Sequence, residues 1–305
     1  MKVIAHRGAS AYLPEHTLPA KALAHAMGAD YLEQDVVATR DEELIVLHDI
    51  HLDRVTNVAD HFPKRARDDG RYYVIDFDLA ELRQLRVHER VNADGAPVYP
   101  GRYPLSGEPF TLHTLAEELS FVRGLNKSTG RNAGVYPEIK RPAFHRSEGI
   151  DITTLFLNVL RAQGYTKASD PIFVQCFDAA EIRRIHNDFD CELKLVQLIG
   201  DNAWQESDTD YDELRSAAGI ASMAEYVDGF GPWINQLVEL DGDGKPVSTG
   251  LAERIHAAGC EAHPYTLRRD DLPPAFSRFD QALRFLRDEL QVEAVFTDFP
   301  DLIRA

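Results

Sequence analysis

Short apolar runs alternate with longer amphipathic stretches along most of this chain. Such alternation is typical of β-strands and α-helices that build a parallel sheet. Eight runs are predicted as strands, at residues 3–6, 31–35, 134–139, 172–176, 193–198, 227–231, 261–265 and 294–298. Helices are predicted at 17–27, 112–125, 151–163, 179–187, 211–218, 249–258 and 281–290. The pattern favours an α/β fold of the (β/α)₈ TIM barrel type, with an open doubly wound sheet as the alternative.

A further apolar run, residues 44–48, follows the second predicted strand after the polar turn 39–43. A turn this short permits only an antiparallel hairpin, because a parallel connection needs a long crossover. Folding the chain about Asp41 places residue 35 opposite residue 47 and residue 34 opposite His48. His48 is therefore expected beside the acidic residues of the second strand.

The hydrophobic pattern weakens between residues 50 and 110, where Arg, Asp, Gly, Tyr and Pro dominate. Within it, residues 79–85 are predicted as a short helix. An excursion of this length is usually functional or semi-independent. We interpret residues 50–110 as a subdomain inserted after the second strand, within a single barrel domain of residues 1–305.

Two histidines stand at the ends of apolar runs beside a charged neighbour, in His6-Arg7 and His48-Asp49. Active sites of (β/α)₈ barrels are built where the strands end. Imidazole titrates close to neutrality, so two such groups can act as a general base and a general acid. We predict that His6 and His48 are catalytic; a structural histidine is the alternative at each position.

Three carboxylates also lie at or near strand ends. Glu33 and Asp35 alternate along one strand and so share a face, and Glu138 ends the next barrel strand. Buried ionised carboxylates are costly unless they are paired or bind a metal. We expect one divalent cation at these three residues, Ca²⁺ first and Mg²⁺ second, because all the ligand atoms are oxygens. Solvated strand carboxylates are the alternative.

Further residues near these positions are candidates for binding the substrate. Arg7 and Lys140 adjoin site residues and are predicted to clamp a phosphate, Arg7 as a bidentate fork and Lys140 as a point charge. Glu15 is expected to orient His6 or to approach the metal. The remaining candidates contribute hydrogen bonds or an aromatic wall and are Gln175, Trp233 and Tyr265.

The composition describes an acidic, folded chain. Of 305 residues, 44% are hydrophobic and 27% are charged, with 50 acidic against 33 basic residues and a formal net charge of −17. This balance argues against a nucleic-acid surface or a polybasic membrane anchor, and an anionic substrate needs a local positive site. The sequence also predicts no transmembrane helix and no signal peptide.

The motifs together resemble the glycerophosphodiester phosphodiesterase family, and within it the bacterial periplasmic type. They run the length of the chain in the family's order and are Ala5-His6-Arg7-Gly8-Ala9-Ser10, Leu13-Pro14-Glu15-His16-Thr17, Leu32-Glu33-Gln34-Asp35-Val36, Val46-Leu47-His48-Asp49, Tyr136-Pro137-Glu138-Ile139-Lys140, Val174-Gln175-Cys176-Phe177-Asp178, His263-Pro264-Tyr265-Thr266 and Phe296-Thr297-Asp298-Phe299-Pro300-Asp301. Many members have Asn at the position of His16, and the His form resembles the periplasmic subgroup.

The resemblance implies an enzyme, a phosphoric diester hydrolase. Its substrates are small glycerophosphodiesters such as glycerophosphocholine, which it converts to sn-glycerol 3-phosphate and an alcohol. The resemblance assigns the histidine pair to general acid/base catalysis, the three carboxylates to the cation, and Arg7 with Lys140 to the phosphate. In this family the adjacent glycerol hydroxyl is thought to attack phosphorus, which gives a cyclic phosphate that water opens.

Other functions and properties stay open at this stage. The second enzymatic hypothesis is a phospholipase that acts on intact phospholipid or sphingolipid. The third is a catalytically silent protein that binds glycerophosphodiesters. The resemblance implies a periplasmic location, whereas a chain complete as given would be cytoplasmic. A homodimer is the oligomeric state that we keep open as a candidate.

Overall fold

A computed structural model describes residues 1–105 and 109–304. The strands are β1 (Lys2–Ala5), β2 (Tyr31–Ala38), β3 (Leu44–Val46), β4 (Gly134–Ile139), β5 (Phe173–Cys176), β6 (Lys194–Ile199), β7 (Gly229–Pro232), β8 (Val238–Leu240), β9 (Pro246–Ser248), β10 (Glu261–Ala262) and β11 (Ala294–Thr297). The α-helices are α1 (Leu18–Ala26), α2 (Val58–His61), α3 (Leu79–Leu82), α4 (Leu115–Thr129), α5 (Pro142–Ser147), α6 (Ile152–Ala162), α7 (Ala179–Asp188), α8 (Tyr211–Leu214), α9 (Ala217–Met223), α10 (Leu251–Ala257), α11 (Phe279–Arg284) and α12 (Pro300–Arg304).

The parallel strands form a barrel in the order β10-β7-β6-β5-β4-β2-β1-β11. Backbone hydrogen bonds join the two ends of this sheet, since Leu267 N donates to Phe296 O at 2.8 Å and Phe296 N to Pro264 O at 3.0 Å. The structure therefore confirms the predicted (β/α)₈ barrel. The strand predicted at 261–265 is regular only over Glu261–Ala262, because Pro264 cannot donate to the ladder.

The hairpin that carries His48 has the predicted register. Val36 pairs with Val46 in the antiparallel β2–β3 ladder, and Leu47 N donates to Asp35 O at 2.9 Å. Residue 35 thus lies opposite residue 47, as the length of the turn requires. In the neighbouring parallel pair, Asp35 is in register with Glu138 of β4. Both the second histidine and two of the acids therefore meet at one level of the barrel.

Segment 211–218 contains two helices, so the prediction of a single helix there was wrong. α8 ends at Leu214, and α9 begins after Ser216, whose hydroxyl accepts a hydrogen bond from Gly219 N at 3.0 Å. A serine cap of this kind starts a new helix because it satisfies a free N–H of the first turn.

Residues 50–110 contain more regular structure than the single predicted helix. Besides α3 they include α2 and a 3₁₀ turn at Val74–Asp76. Their apolar side chains pack in a cluster with the outer faces of β2 and β3 that includes Val37, Ile45, Leu52, Val58, Phe77, Leu82 and Leu85. The division of the chain at residues 50 and 110 stays a prediction, and residues 106–108 lie outside the described part.

Large side chains fill the barrel interior beneath the carboxyl ends of the strands, and they include Ile4, Tyr136, Phe173, Val196 and Phe296. Tyr136 is fully buried, and its hydroxyl lies 2.8 Å from His263 Nδ1. The interior is thus a packed core that supports the residues above it. Among the described helices, none combines the length and the apolar character that crossing a bilayer requires.

Candidate active site

A cavity of about 380 Å³ opens at the carboxyl ends of the barrel strands. The predicted site residues that line it are His6, Arg7, Glu33, Asp35, His48, Glu138, Lys140, Gln175, Trp233 and Tyr265. Glu15 lies outside this lining and borders a second cavity, of about 210 Å³, which also contacts His6, Arg7 and His48. The structure thus brings the predicted catalytic, metal and phosphate residues to one place.

Both histidines have the same arrangement. His6 Nδ1 lies 2.6 Å from Asp298 Oδ1, and His48 Nδ1 lies 2.6 Å from Asp49 Oδ1. A carboxylate at Nδ1 holds the ring and keeps that nitrogen protonated, so that Nε2 is left for the substrate. Burial, followed by the charge of Arg7, lowers the pKa of His6 to about 3. The same two causes lower the pKa of His48, whose side chain is 30% exposed against 9% for His6.

The acidic residues lie close together. Ligand atoms of Glu33, Asp35 and His16 are all within 4.8 Å of one another, a spacing that can hold a metal ion. His16 Nε2 is 2.7 Å from Asp35 Oδ2. Glu138, the third predicted ligand, is outside that group, and its carboxylate is 2.7 Å from Lys140 Nζ. The compact cluster therefore contains a histidine that the predicted ligand set did not include.

The donor atoms of this cluster fit a divalent cation. Burial and the charge of Asp35 raise the pKa of Glu33 to about 8, and burial raises the pKa of Glu138 well above its usual value. Asp35 Oδ1 is buried and has no hydrogen-bond partner within residues 1–105 and 109–304. A buried carboxylate oxygen without a partner is costly, and a hard cation would supply that partner and offset the repulsion between the acids.

Arg7 reaches the site through an unusual local backbone. Its φ of 59° is left-handed, and Gly8 follows with φ of 91°. A Cβ at Gly8 would stand 2.9 Å from the backbone of Ala20 in α1, so glycine is required there. The tight turn lets Arg7 N donate to Glu33 Oε2 at 2.6 Å. Arg7 Nε is buried, lies 3.6 Å from Asp35 Oδ2 and has no hydrogen-bond partner among the described residues, so it can donate to a phosphate oxygen.

Lys140 and Gln175 continue the polar wall from β4 to β5. Lys140 Nζ contacts Glu138 and also Glu206, at 3.4 Å. Although burial opposes its charge, Glu138 and then Glu206 raise the pKa of Lys140, so the ammonium stays charged. Gln175 is in register with Glu138 and donates to Glu33 Oε1 at 3.4 Å, while its own buried Oε1 has no partner in the described chain.

Three further predicted site residues, Glu15, Tyr265 and Trp233, make an ionic, a hydrogen-bonding and an aromatic contact respectively. Glu15 accepts hydrogen bonds from Arg7 and Arg90, and its roles in orienting His6 or approaching the metal stay predictions. The Tyr265 hydroxyl donates to Ile199 O at 2.9 Å, which leaves its ring to line the cavity. Trp233 packs edge to face against Trp204, with ring centroids 5.1 Å apart.

Sequence reasoning missed several residues that the structure places around the histidines. The roles of Asp49 and Asp298 at the imidazoles were not predicted, although both stand in quoted motifs. Asp298 is 292 positions from His6, and its place directly after β11 was the available signal. Arg90 and Arg102, which contact these two carboxylates, carry no local pattern. Arg268, Phe177, Trp204, Glu206, Thr266 and Leu198 also line the main cavity.

The fold and the site together define a (β/α)₈-barrel enzyme with paired histidines and an acidic cluster at the strand ends. Residues 6–302 match the model of the glycerophosphoryl diester phosphodiesterase family, so the chain belongs to that family.

Similarity to known proteins extends over nearly the whole chain. A glycerophosphodiester phosphodiesterase of Haemophilus influenzae is 44% identical, with 98% of this chain and 87% of that protein covered. One of Treponema pallidum is 39% identical, with 98% and 90% covered. The solved structure of an Oleispira antarctica phosphodiesterase in complex with the product sn-glycerol-3-phosphate has a TM-score of 0.65 at 20% identity, covering 100% of this chain and 95% of that one. The predicted class of enzyme is confirmed.

Proposed function

We propose that this protein hydrolyses glycerophosphodiesters to sn-glycerol 3-phosphate and an alcohol, with His6 and His48 as the general acid/base pair. The observation that carries the proposal is that both imidazoles have a carboxylate at Nδ1 and border one cavity with the acidic cluster. The Oleispira antarctica neighbour, which has the same fold, binds sn-glycerol-3-phosphate as its product.

The environments of the two rings favour different roles. Burial lowers the pKa of both imidazoles, so solvent exposure is what separates them: the His6 side chain is only 9% exposed, and its Nε2 is suited to take a proton from an attacking hydroxyl. The His48 side chain is 30% exposed and can exchange protons with solvent, as a general acid must between turnovers. We therefore assign His6 as the base and His48 as the acid that protonates the leaving alkoxide.

A divalent cation completes the proposed site, with Ca²⁺ as the ion and Mg²⁺ as the alternative. Glu33, Asp35 and Glu138 would hold it, because their oxygens suit a hard ion, and His16 would orient Asp35 through the 2.7 Å contact. When bound, such an ion stabilises negative charge on the phosphoryl oxygens. On the protein side, the Arg7 guanidinium is placed to donate to the same oxygens.

The first prediction uses leaving groups to separate the two histidines. A general acid matters most for a poor leaving group, so His48→Ala should lose about 10²- to 10⁴-fold in kcat/KM on glycerophosphocholine but far less on glycerophospho-p-nitrophenol. His6→Ala should lose a similar factor on both substrates. The measurement is the initial rate of sn-glycerol 3-phosphate or nitrophenol release, with added Ca²⁺.

The matched control is His186→Ala, which changes an exposed histidine of α7 and should retain the wild-type rate on both substrates. Wild-type turnover by folded His6→Ala and His48→Ala would refute the assignment of these histidines as the catalytic pair. The opposite dependence on leaving group would keep the function but exchange the two roles.

A further inference from the structure

Two arginines from the 50–110 segment border the smaller of the two cavities that contact the histidines. Arg90 and Arg102 both line the cavity of about 210 Å³ that contacts His6 and His48. Neither arginine lines the larger cavity in which the acidic cluster lies. Their hydrogen bonds run to Asp49, Glu15 and Asp298, the carboxylates next to the histidines and Arg7.

Arg90 makes a three-part connection to His48. Its Nη1 donates to Asp49 Oδ2 at 2.6 Å, and the other oxygen of Asp49 lies at His48 Nδ1. Arg90 Nε and Nη2 donate to the two oxygens of Glu15 at 2.9 and 2.6 Å. A guanidinium held in this bidentate way has a fixed plane, so its Nη1 is held towards Asp49.

Arg102 makes the corresponding connection to His6. Its Nη2 donates to Asp298 Oδ2 at 2.7 Å, while Asp298 Oδ1 lies at His6 Nδ1. Asp270 also accepts two hydrogen bonds from this guanidinium, from Nε at 2.9 Å and from Nη2 at 3.0 Å. One difference separates the two connections: Asp298 Oδ2 also accepts from Arg268 Nε at 2.7 Å.

We infer that Arg90 and Arg102 are positioning residues for the reaction, which act through Asp49 and Asp298 to hold the two imidazole rings in their working orientation. The inference rests on the proposed function of those imidazoles. Each ring can turn about its side-chain bonds, and a carboxylate fixes it only if the carboxylate is itself fixed. The 50–110 segment thereby contributes directly to the geometry of the site.

The inference predicts unequal effects of removing the two arginines. Arg90→Met should lower kcat for glycerophosphocholine by about 10- to 100-fold with KM changed less than about twofold, because ring orientation is lost while the phosphate contacts remain. Arg102→Met should cost less, because Arg268 still holds Asp298. A role confined to folding would not separate kcat from KM in this way.

Chemical rescue of an arginine variant is the decisive test of this positioning role. Guanidinium ions added to Arg90→Ala should restore part of kcat, because the adjoining cavity admits an ion of the size that the substitution removes. Urea, which has nearly the same shape without the charge, should not restore it. The control variant is Arg71→Gln, which breaks the pair with Asp53 in the same segment and should retain wild-type kcat.

Three outcomes decide the matter. Wild-type kcat in Arg90→Met would overturn the inference and leave the proposed function intact. A loss of kcat that follows a loss of thermal stability, without guanidinium rescue, would show a purely structural role and would also overturn it. A wild-type protein that does not hydrolyse glycerophosphocholine with Ca²⁺ would instead overturn the proposed function.

Discussion

His145, in the last turn of α5, connects the loop after Lys140 to strand β2 through a neutral imidazole. Its Nε2 accepts from Ala38 N at 3.1 Å, and its Nδ1 donates to Arg141 O at 3.0 Å. Burial lowers the pKa of His145 to about 4. Protonation would turn Nε2 into a second donor facing the Ala38 N–H, so the folded state opposes it.

Because of His145, the free energy of unfolding should therefore decrease as the pH is lowered. The folded-state pKa of His145 lies below its unfolded value, so the unfolded chain binds more protons and the free energy of unfolding falls as pH drops from about 6.5 towards 4. We expect a contribution of about 3 kcal/mol over this window. Urea unfolding at a series of pH values measures it, with His145→Gln as comparison. Parallel curves for the two proteins would contradict the prediction.

At the scale of residues, placement at a strand end made His6, Glu33, Asp35 and Glu138 predictable from sequence. The alternation of side chains along a strand is local, so it places Glu33 and Asp35 on one face without knowledge of the fold. The pairing of Asp298 with His6 and of Arg90 with Asp49 was missed, because these contacts join positions far apart in the chain. The roles assigned to the site residues stay predictions.

At the scale of elements, the β2–β3 hairpin shows that a short turn determines the register of the two strands it joins. Its turn leaves one antiparallel register, which places His48 at the level of Asp35. β3 is supported on its other side by the start of α4, where Val46 N donates to His113 O at 3.1 Å. Thr114 and Glu117 form a capping box there, with hydrogen bonds of 3.2 and 2.8 Å.

Removing this cap should lower stability without affecting the chemistry directly. Thr114→Ala leaves Glu117 N without its side-chain acceptor, so we expect a loss of about 1 kcal/mol in the free energy of unfolding. Ser128→Ala, an exposed substitution in the last turn of the same helix, is the control and should change stability by less than about 0.5 kcal/mol. Urea denaturation compares the two variants. Equal effects would show that the cap contributes nothing.

At the scale of the whole molecule, the alternation of strands and helices was enough to predict the barrel, because each unit packs against its neighbours in sequence. The internal structure of residues 50–110 was not predictable in the same way. Their apolar cluster forms by contact with β2 and β3, which local composition does not show. The periplasmic location and the oligomeric state stay predictions.

The distribution of charge over the whole molecule also bears on the substrate. The chain has a formal net charge of −17, yet Arg7, Lys140 and Arg268 border the main cavity. A local positive site is what the acidic composition required for an anionic substrate. A bound divalent cation would add to that positive charge and relieve the repulsion within the acidic cluster.

The most direct test of the account is sn-glycerol 3-phosphate release from glycerophosphocholine by metal-depleted wild-type protein. We predict that activity is absent after chelation and returns on adding Ca²⁺ or, to a different extent, Mg²⁺, because Glu33, Asp35 and Glu138 then have the cation that their burial requires. Full turnover by protein shown to be free of metal would contradict the central claim.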